Sequence, residues 1–374
     1  MESEEKHFVH LLRVILVCMI VFVQAFLAYS SVGNWFNLTA ISSSDSMFMF
    51  SNIMVIVAHT FIVAAMFTLT GSFTFNLYSE KGAQYFMRRV VKKYGTAMAV
   101  YLILIHPSIF ILGHIFRNEQ VTFKSIFSDY LPQLSSGPFY FLLAILIFKL
   151  GYAVSKRWIR HVNIVSEMRK QMPQLRSAFF VVIVGIFTYF LRIVYPISNY
   201  SSLLQIGFLP LYIGMFVSGL LAANNDWVGK LKIDFSIPWV IFSLLCLPIL
   251  VLSIFYSGEM TEFSGGFTAQ SVFVSFWEPM ICMAFGFFFA ILFFKYFNNK
   301  SKKIKYLSDI SIGVFLVHPL PIVLLVILLE PIAAPIMVKW LIVSVLSTLV
   351  SFLLASLLNR IPMVRQMMDC DVRK

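Results

Sequence analysis

Charge is what this chain has least of. Asp, Glu, Lys and Arg together make 12% of the 374 residues, about half the share usual in soluble domains, so a water-facing globule is excluded as the organising form. Cysteine is as sparse. Cys18, Cys246, Cys282 and Cys370 show no CxxC spacing, and neither a disulfide framework nor a metal site is implied. A Walker sequence, an HExxH helix, a GxSxG elbow and a CxxCH haem site are also missing, which argues against a primary pump, a membrane metalloprotease and a serine hydrolase. No small-residue cleavage site follows the first apolar run, which is preceded by the mostly acidic MESEEK, so no cleaved signal peptide is expected.

What the chain does have is apolar surface: 59% hydrophobic residues, 16% aromatic ones and a mean hydropathy of +0.85. Ten apolar spans are expected, at approximately 8–30, 47–77, 96–116, 138–154, 177–195, 203–223, 237–256, 271–297, 308–329 and 337–358. A helix needs about 20 apolar residues to cross a bilayer. Long continuous runs are helical spans, and the alternation of a membrane barrel is absent. The expected fold is therefore all-α, a polytopic membrane protein of about ten transmembrane helices in one domain, 1–374. The formal charge of +12 does not imply nucleic acid, because Lys and Arg gather in alternate loops, as membrane topology selects. Lys81, Arg88, Arg89, Lys92 and Lys93 follow span two; Lys300, Lys302, Lys303 and Lys305 follow span eight. Both termini are accordingly expected to be cytoplasmic. Within the 155–176 segment, SKRWIRHVNIVSEMRKQMPQLR, a basic amphipathic helix on the membrane surface and a solvated loop are equally open. Asn37-Leu38-Thr39 matches a glycosylation sequon and carries no function here.

A few polar side chains interrupt the spans. Arg13 sits about a turn and a half into the first. It either snorkels to the headgroups or marks a functional site, the default for an intramembrane cation. Gln24, eleven residues on, lies about 16 Å further along a helix, where a lone amide often joins two helices. His59 in span two and His318 in span nine are candidate bases; His318-Pro319 also breaks its helix and frees a carbonyl that a polar partner must satisfy. His106-Pro107 reads as a kink. Glu278 in span eight requires a cation or a proton, and Arg192 near the outer end of span five is a candidate partner.

Four segments in order make the chain resemble the membrane acyltransferase-3 family, multi-span enzymes that O-acylate extracytoplasmic glycans. They are HLLRVILVCMIVFVQAF, with Arg13 and Gln24; MFTLTGSFTF followed by YFMRRVVKKYG; GPFYFLLAILIF from Gly137 to Phe148; and SDISIGVFLVHPLPIVLL from Ser308 to Leu325. The likeness is strongest to the branch with glucan-succinylating, glucans-biosynthesis-protein-C-like members. It implies a multi-pass protein of a bacterial cell membrane, in contact with membrane lipid. Such a protein would move an acetyl or succinyl group from cytoplasmic acyl-coenzyme A (acyl-CoA) to a hydroxyl of an extracytoplasmic glycan. No bound cofactor is implied, since acyl-CoA is the donor substrate. By resemblance Arg13, Gln24 and His318 are candidate catalytic residues, with His59 a candidate substitute base, and Arg89 and Lys92 would capture the phosphates of CoA, or equally serve topology and lipid headgroups. Two positions depart from the family pattern. Gln24 stands where the family carries its catalytic histidine, and Ile62 stands where it carries an arginine. An amide cannot take up a proton near neutral pH, so the alternative is a family member that lost its base and acts as a transporter or accessory protein for a glycan or lipid-linked intermediate. Phe139 and Tyr140 replace a tryptophan-phenylalanine pair and read as interface anchors.

Overall fold

The computed structural model of the chain describes residues 7–29, 36, 58–125, 130, 133–134, 137–158, 174–197, 205–230, 232–257 and 261–368. The sequon, most of the 155–176 segment, the start of span two, Cys370 and the side chain of His59 lie outside the described residues. Among those described there is no strand, and the chain is a bundle of long helices. In order they are α1 (Phe8–Ala28), a π-helical turn (Ala58–Val63) running into α2 (Ala64–Val100), a second π turn (Tyr101–Ile105) running into α3 (His106–Phe116), α4 (Phe139–Trp158), α5 (Gln174–Val194), α6 (Leu209–Asn225), α7 (Ile237–Ser257), α8 (Ala269–Phe297), α9 (Lys302–Val317), α10 (Pro319–Leu329) and α11 (Ile336–Leu358).

Among the described residues seven helical stretches are each long and apolar enough to cross a membrane, and α9 with α10 makes an eighth, bent by 56° at the break between them. One of the seven, Thr60–Phe116, has 57 residues. At 1.5 Å per residue it would reach about 86 Å if straight, well over twice the thickness of a hydrocarbon core. The break is at Gly82, whose φ of 77° and ψ of 170° fall in a region open essentially to glycine alone. The stretch thus covers the second and third expected spans, and α7 with its internal Pro248 overlaps the seventh.

Close contact sets the packing. Gly71 of α2 and Gly219 of α6 lie where these helices cross. A Cβ on Gly71 would overlap the carbonyl oxygen of Phe216, and one on Gly219 that of Thr68. This is the small-residue packing that lets backbones approach in lipid, where no hydrophobic force drives helices together. Polar side chains tie the remainder. The indole Nε1 of Trp340 on α11 donates to the carbonyl of Phe22 on α1 at 3.1 Å, and that of Trp277 on α8 donates to Ser243 at 3.2 Å. The backbone amide of Phe8 donates to Asn298 Oδ1 at 3.1 Å, fixing the start of α1 to the end of α8.

The kink expected at His106-Pro107 is taken up by the π turn Tyr101–Ile105, after which α3 continues. His106 is fully buried, within 2.9 Å of the Tyr130 carbonyl through Nε2 and 3.3 Å of the Tyr101 hydroxyl through Nδ1. A carbonyl only accepts, so Nε2 carries the hydrogen and Nδ1 accepts from Tyr101.

Candidate active site

Two cavities lie end to end along one face of α1. The larger, about 450 Å³, is lined by His10, Arg13, Leu16 and Val17 of α1 together with side chains of α2, α4 and α9. The smaller, about 30 Å³, is lined by Ile20, Val23, Gln24 and Leu27 of α1, by Ile62 and Val63, by Gly137, Pro138, Tyr140 and Phe141, and by Phe315 and His318. The steps of three and four residues keep all eight α1 positions on one helical face, so Arg13 and Gln24 look into neighbouring chambers of the same seam.

The larger cavity is a cation cradle. Arg13, Arg89, Lys93, Lys149 and Lys305 line it against two acids, Glu80 and Asp309. Both arms of α2 contribute, because the Gly82 break folds them around it: Phe73 and Glu80 come from one side, Arg89, Lys93 and Tyr94 from the other. Lys93 and Lys149 are 9% and 5% exposed and lie 5.7 and 5.6 Å from the Tyr94 ring centroid. Arg13 lies over Phe73 at 5.7 Å. Cations held on aromatic faces within about 6 Å are stabilised by the ring quadrupole and keep their charge available to an anion. At the rim Glu80 and Lys305 are exposed, so the cavity reaches the surface at the end of the bundle where α1 begins. Its volume is within the range of about 300–1,000 Å³ typical of small-molecule sites.

Arg13 and Arg89, both expected at the site, line the cradle; Arg89 also donates from Nη1 to the Tyr85 hydroxyl at 2.9 Å. Lys92 is exposed and is not part of the lining. Lys93 takes that place because it stands four residues after Arg89, on the same helical face. Lys93, Lys149 and Lys305 are the residues that sequence reasoning passed over. Lys93 could have been found from the 3.6-residue period, whereas no local signal marks Lys149 inside an apolar span.

Gln24 and His318 share the smaller pocket. Oε1 of Gln24 is buried without a hydrogen-bond partner among the described residues. His318, 2% exposed, stands between α9 and α10. Pro319 has no N–H, so the carbonyl of Phe315, four residues earlier, loses its helical donor. Nδ1 of His318 supplies the replacement at 2.7 Å. Since a carbonyl can only accept, that nitrogen carries the hydrogen and Nε2 carries the lone pair. The helix break thus fixes the tautomer of a base. His59 is in the π turn, immediately before Thr60. Phe139 and Tyr140 are 8% and 5% exposed, inside the bundle rather than at the interface: Gly137 packs on Tyr101 with no room for a Cβ, which draws the start of α4 inward.

Farther from the cavities, Arg192 and Glu278 do pair, Nη2 to Oε2 at 2.7 Å, with side chains 0% and 1% exposed. Arg192 Nε also donates to the Gly207 carbonyl at 3.0 Å, and Thr60 Oγ1 reaches Glu278 Oε1 at 3.4 Å.

No curated protein and no solved structure matches the chain. The family model described as an acyltransferase domain matches residues 6–358, a stretch that holds both cavities and every residue of the buried ion pair. A multi-pass helical bundle matched over nearly its whole length identifies the chain as a member of the membrane acyltransferase-3 family.

Proposed function

We propose that the protein carries an acyl group from a cytoplasmic acyl-CoA to a hydroxyl of an extracytoplasmic glycan, in a bacterial cell membrane. The cation cradle takes the phosphates of CoA, for which charge-assisted hydrogen bonds from Arg and Lys are the strongest donors. Its end of the bundle is the cytoplasmic one in this reading, since the basic stretches Lys81–Lys93 and Lys300–Lys305 flank it and basic loops stay on the cytoplasmic side. The thioester arm then points along α1 toward His318. Nε2 of His318 takes the proton of the acceptor hydroxyl while its oxygen attacks the thioester carbonyl. The C–S bond breaks, the new C–O bond remains, and the departing thiolate recovers the proton from His318 to leave as CoA thiol. Gln24, its Oε1 buried without a partner among the described residues, accepts a hydrogen bond from a neighbouring hydroxyl of the glycan and so leaves the single hydrogen of the reacting hydroxyl to His318.

The observation that carries this reading is the placement of a tautomer-fixed His318 beside Gln24 in one pocket. The base absent from α1 is supplied from α9. The test is thiol release from acyl-CoA by purified, monodisperse protein, with loss of release in His318→Ala. Protein that neither binds nor turns over any acyl-CoA refutes the reading.

Gln24 itself favours a second reading, a family member that kept the fold and serves as a transporter or accessory protein. Gln24→His separates the two. Acyl transfer that appears only in that variant indicates a site that lost its base and never regained one.

A further inference from the structure

Among the described residues two, Phe141 and Phe315, line both cavities, and no other does. Their ring centroids are 4.9 Å apart with the planes at 57°, and the side chains are 3% and 6% exposed. The two rings therefore stand at the boundary between the cradle and the pocket of His318. Neither ring is loosely held. Phe141 is backed by Phe67, fully buried at 4.8 Å, and Phe67 stacks on Tyr212 at 4.7 Å. Phe315 belongs to the turn whose carbonyl bonds His318, so moving its backbone would cost that bond.

The chamber beyond them is small, and among the described residues no cation lines it. Its volume of about 30 Å³ is small beside the cradle's 450 Å³, which favours the end of a short acyl group over a longer one. Among the described residues its polar lining consists of Gln24, Tyr140 and His318, and Ile62 lines it as well. A carboxylate buried there would meet no positive charge, a placement paid for in many kcal/mol or by protonation.

We propose that the Phe141–Phe315 pair is a size filter and the chamber beyond it a charge filter, together admitting a short uncharged acyl group to His318 and rejecting one that ends in a carboxylate. The proposal rests on the reading of the cradle as a CoA site and makes the choice between acetyl and succinyl in favour of acetyl, against the likeness to glucan-succinylating members.

The experiment compares thiol release from acetyl-, butyryl- and succinyl-CoA by the wild-type chain, Phe141→Ala and Phe315→Ala. One added methylene in a tight pocket is worth about 10- to 200-fold. The wild type is therefore expected to favour acetyl over butyryl by at least about tenfold and to leave succinyl-CoA intact. Either alanine variant should bring butyryl to within a few-fold of acetyl and leave succinyl unused. A wild type that uses succinyl-CoA as readily as acetyl-CoA overturns the filter, as does a butyryl-to-acetyl ratio that neither variant moves.

A second readout needs no turnover. Gln24→Cys is treated with methyl methanethiosulfonate, a small neutral thiol reagent, and modification at position 24 is followed by peptide mass. The rate should rise at least about tenfold when Phe141→Ala is added. If it rises while no acyl-CoA is turned over, the donor reading fails and the filter stands. If it does not rise, the filter fails whatever the turnover shows.

Discussion

Arg192 and Glu278, 86 residues apart in the chain, meet at 2.7 Å in the interior of the bundle with almost no exposure. The pair joins α5 to α8 and takes two further groups into its network. Arg192 also rests over the Phe208 ring at 5.1 Å and donates to Gly207, and Glu278 faces Thr60, whose own carbonyl accepts from Cys282 Sγ at 2.6 Å. Four segments of chain are therefore held by one buried charge pair.

Removing one partner alone leaves an uncompensated buried charge, which typically costs about 3–5 kcal/mol. Arg192→Met and Glu278→Met should each lower the thermal midpoint in detergent sharply, and the double variant should recover most of the loss. The charge swap Arg192→Glu with Glu278→Arg should not recover, because a carboxylate at 192 would then face the Gly207 carbonyl. Recovery by the swap would show that only the pair's net charge matters.

The cradle predicts a ranked set of binding losses. Charge-assisted hydrogen bonds are worth about 1.5–3 kcal/mol, roughly 10- to 150-fold in Kd. Arg13→Ala, Lys93→Ala and Lys149→Ala should weaken CoA binding on that scale by calorimetry, and the affinity should fall with added salt. Lys92→Ala, on the exposed side of the same helix, should change it by less than about twofold.

His318 has two roles that a conservative substitution can separate. Loss of a general base costs about 10²- to 10⁴-fold in rate. An asparagine at 318 places an N–H donor close to where Nδ1 lies, so His318→Asn should still satisfy the Phe315 carbonyl and melt near the wild type. It should nonetheless lose acyl transfer as fully as His318→Ala. Activity retained by the asparagine variant would reduce His318 to a structural plug for the helix break.

The Gly82 break can be tested apart from packing. No atom lies within 4 Å of where its Cβ would be, so Gly82→Ala meets no clash and pays only for its backbone, about 1–3 kcal/mol. The two arms of α2 would then close less well around the cradle. Stability and CoA affinity should fall together, as read by thermal melting and calorimetry.

Gly219→Ala tests the opposite case. Its backbone is ordinary helix, and the added methyl overlaps the Thr68 carbonyl oxygen at the α2–α6 crossing. Overpacking of this kind costs about 1–3 kcal/mol. The variant should be destabilised while CoA affinity in its folded fraction stays within about twofold of the wild type.

The apolar runs and alternating basic loops were enough to place the helices, because in lipid every backbone amide must be satisfied within its own segment and length alone decides what can span. The same economy made Arg13, Arg192 and Glu278 legible, since a charge in an apolar span needs a reason. His318-Pro319 was legible for a related cause: proline frees a carbonyl, and only a polar neighbour can take it up. What the sequence left open was which side chains share a chamber. Lys149 and Tyr94 stand 55 residues apart and meet only where α2 and α4 pack. Lys92 and Lys93 are adjacent in sequence, yet helical rotation turns one outward and the other into the cradle. That Phe141 and Phe315 divide one seam into two cavities follows from the crossing of α4 with α9, a relation that no local periodicity encodes.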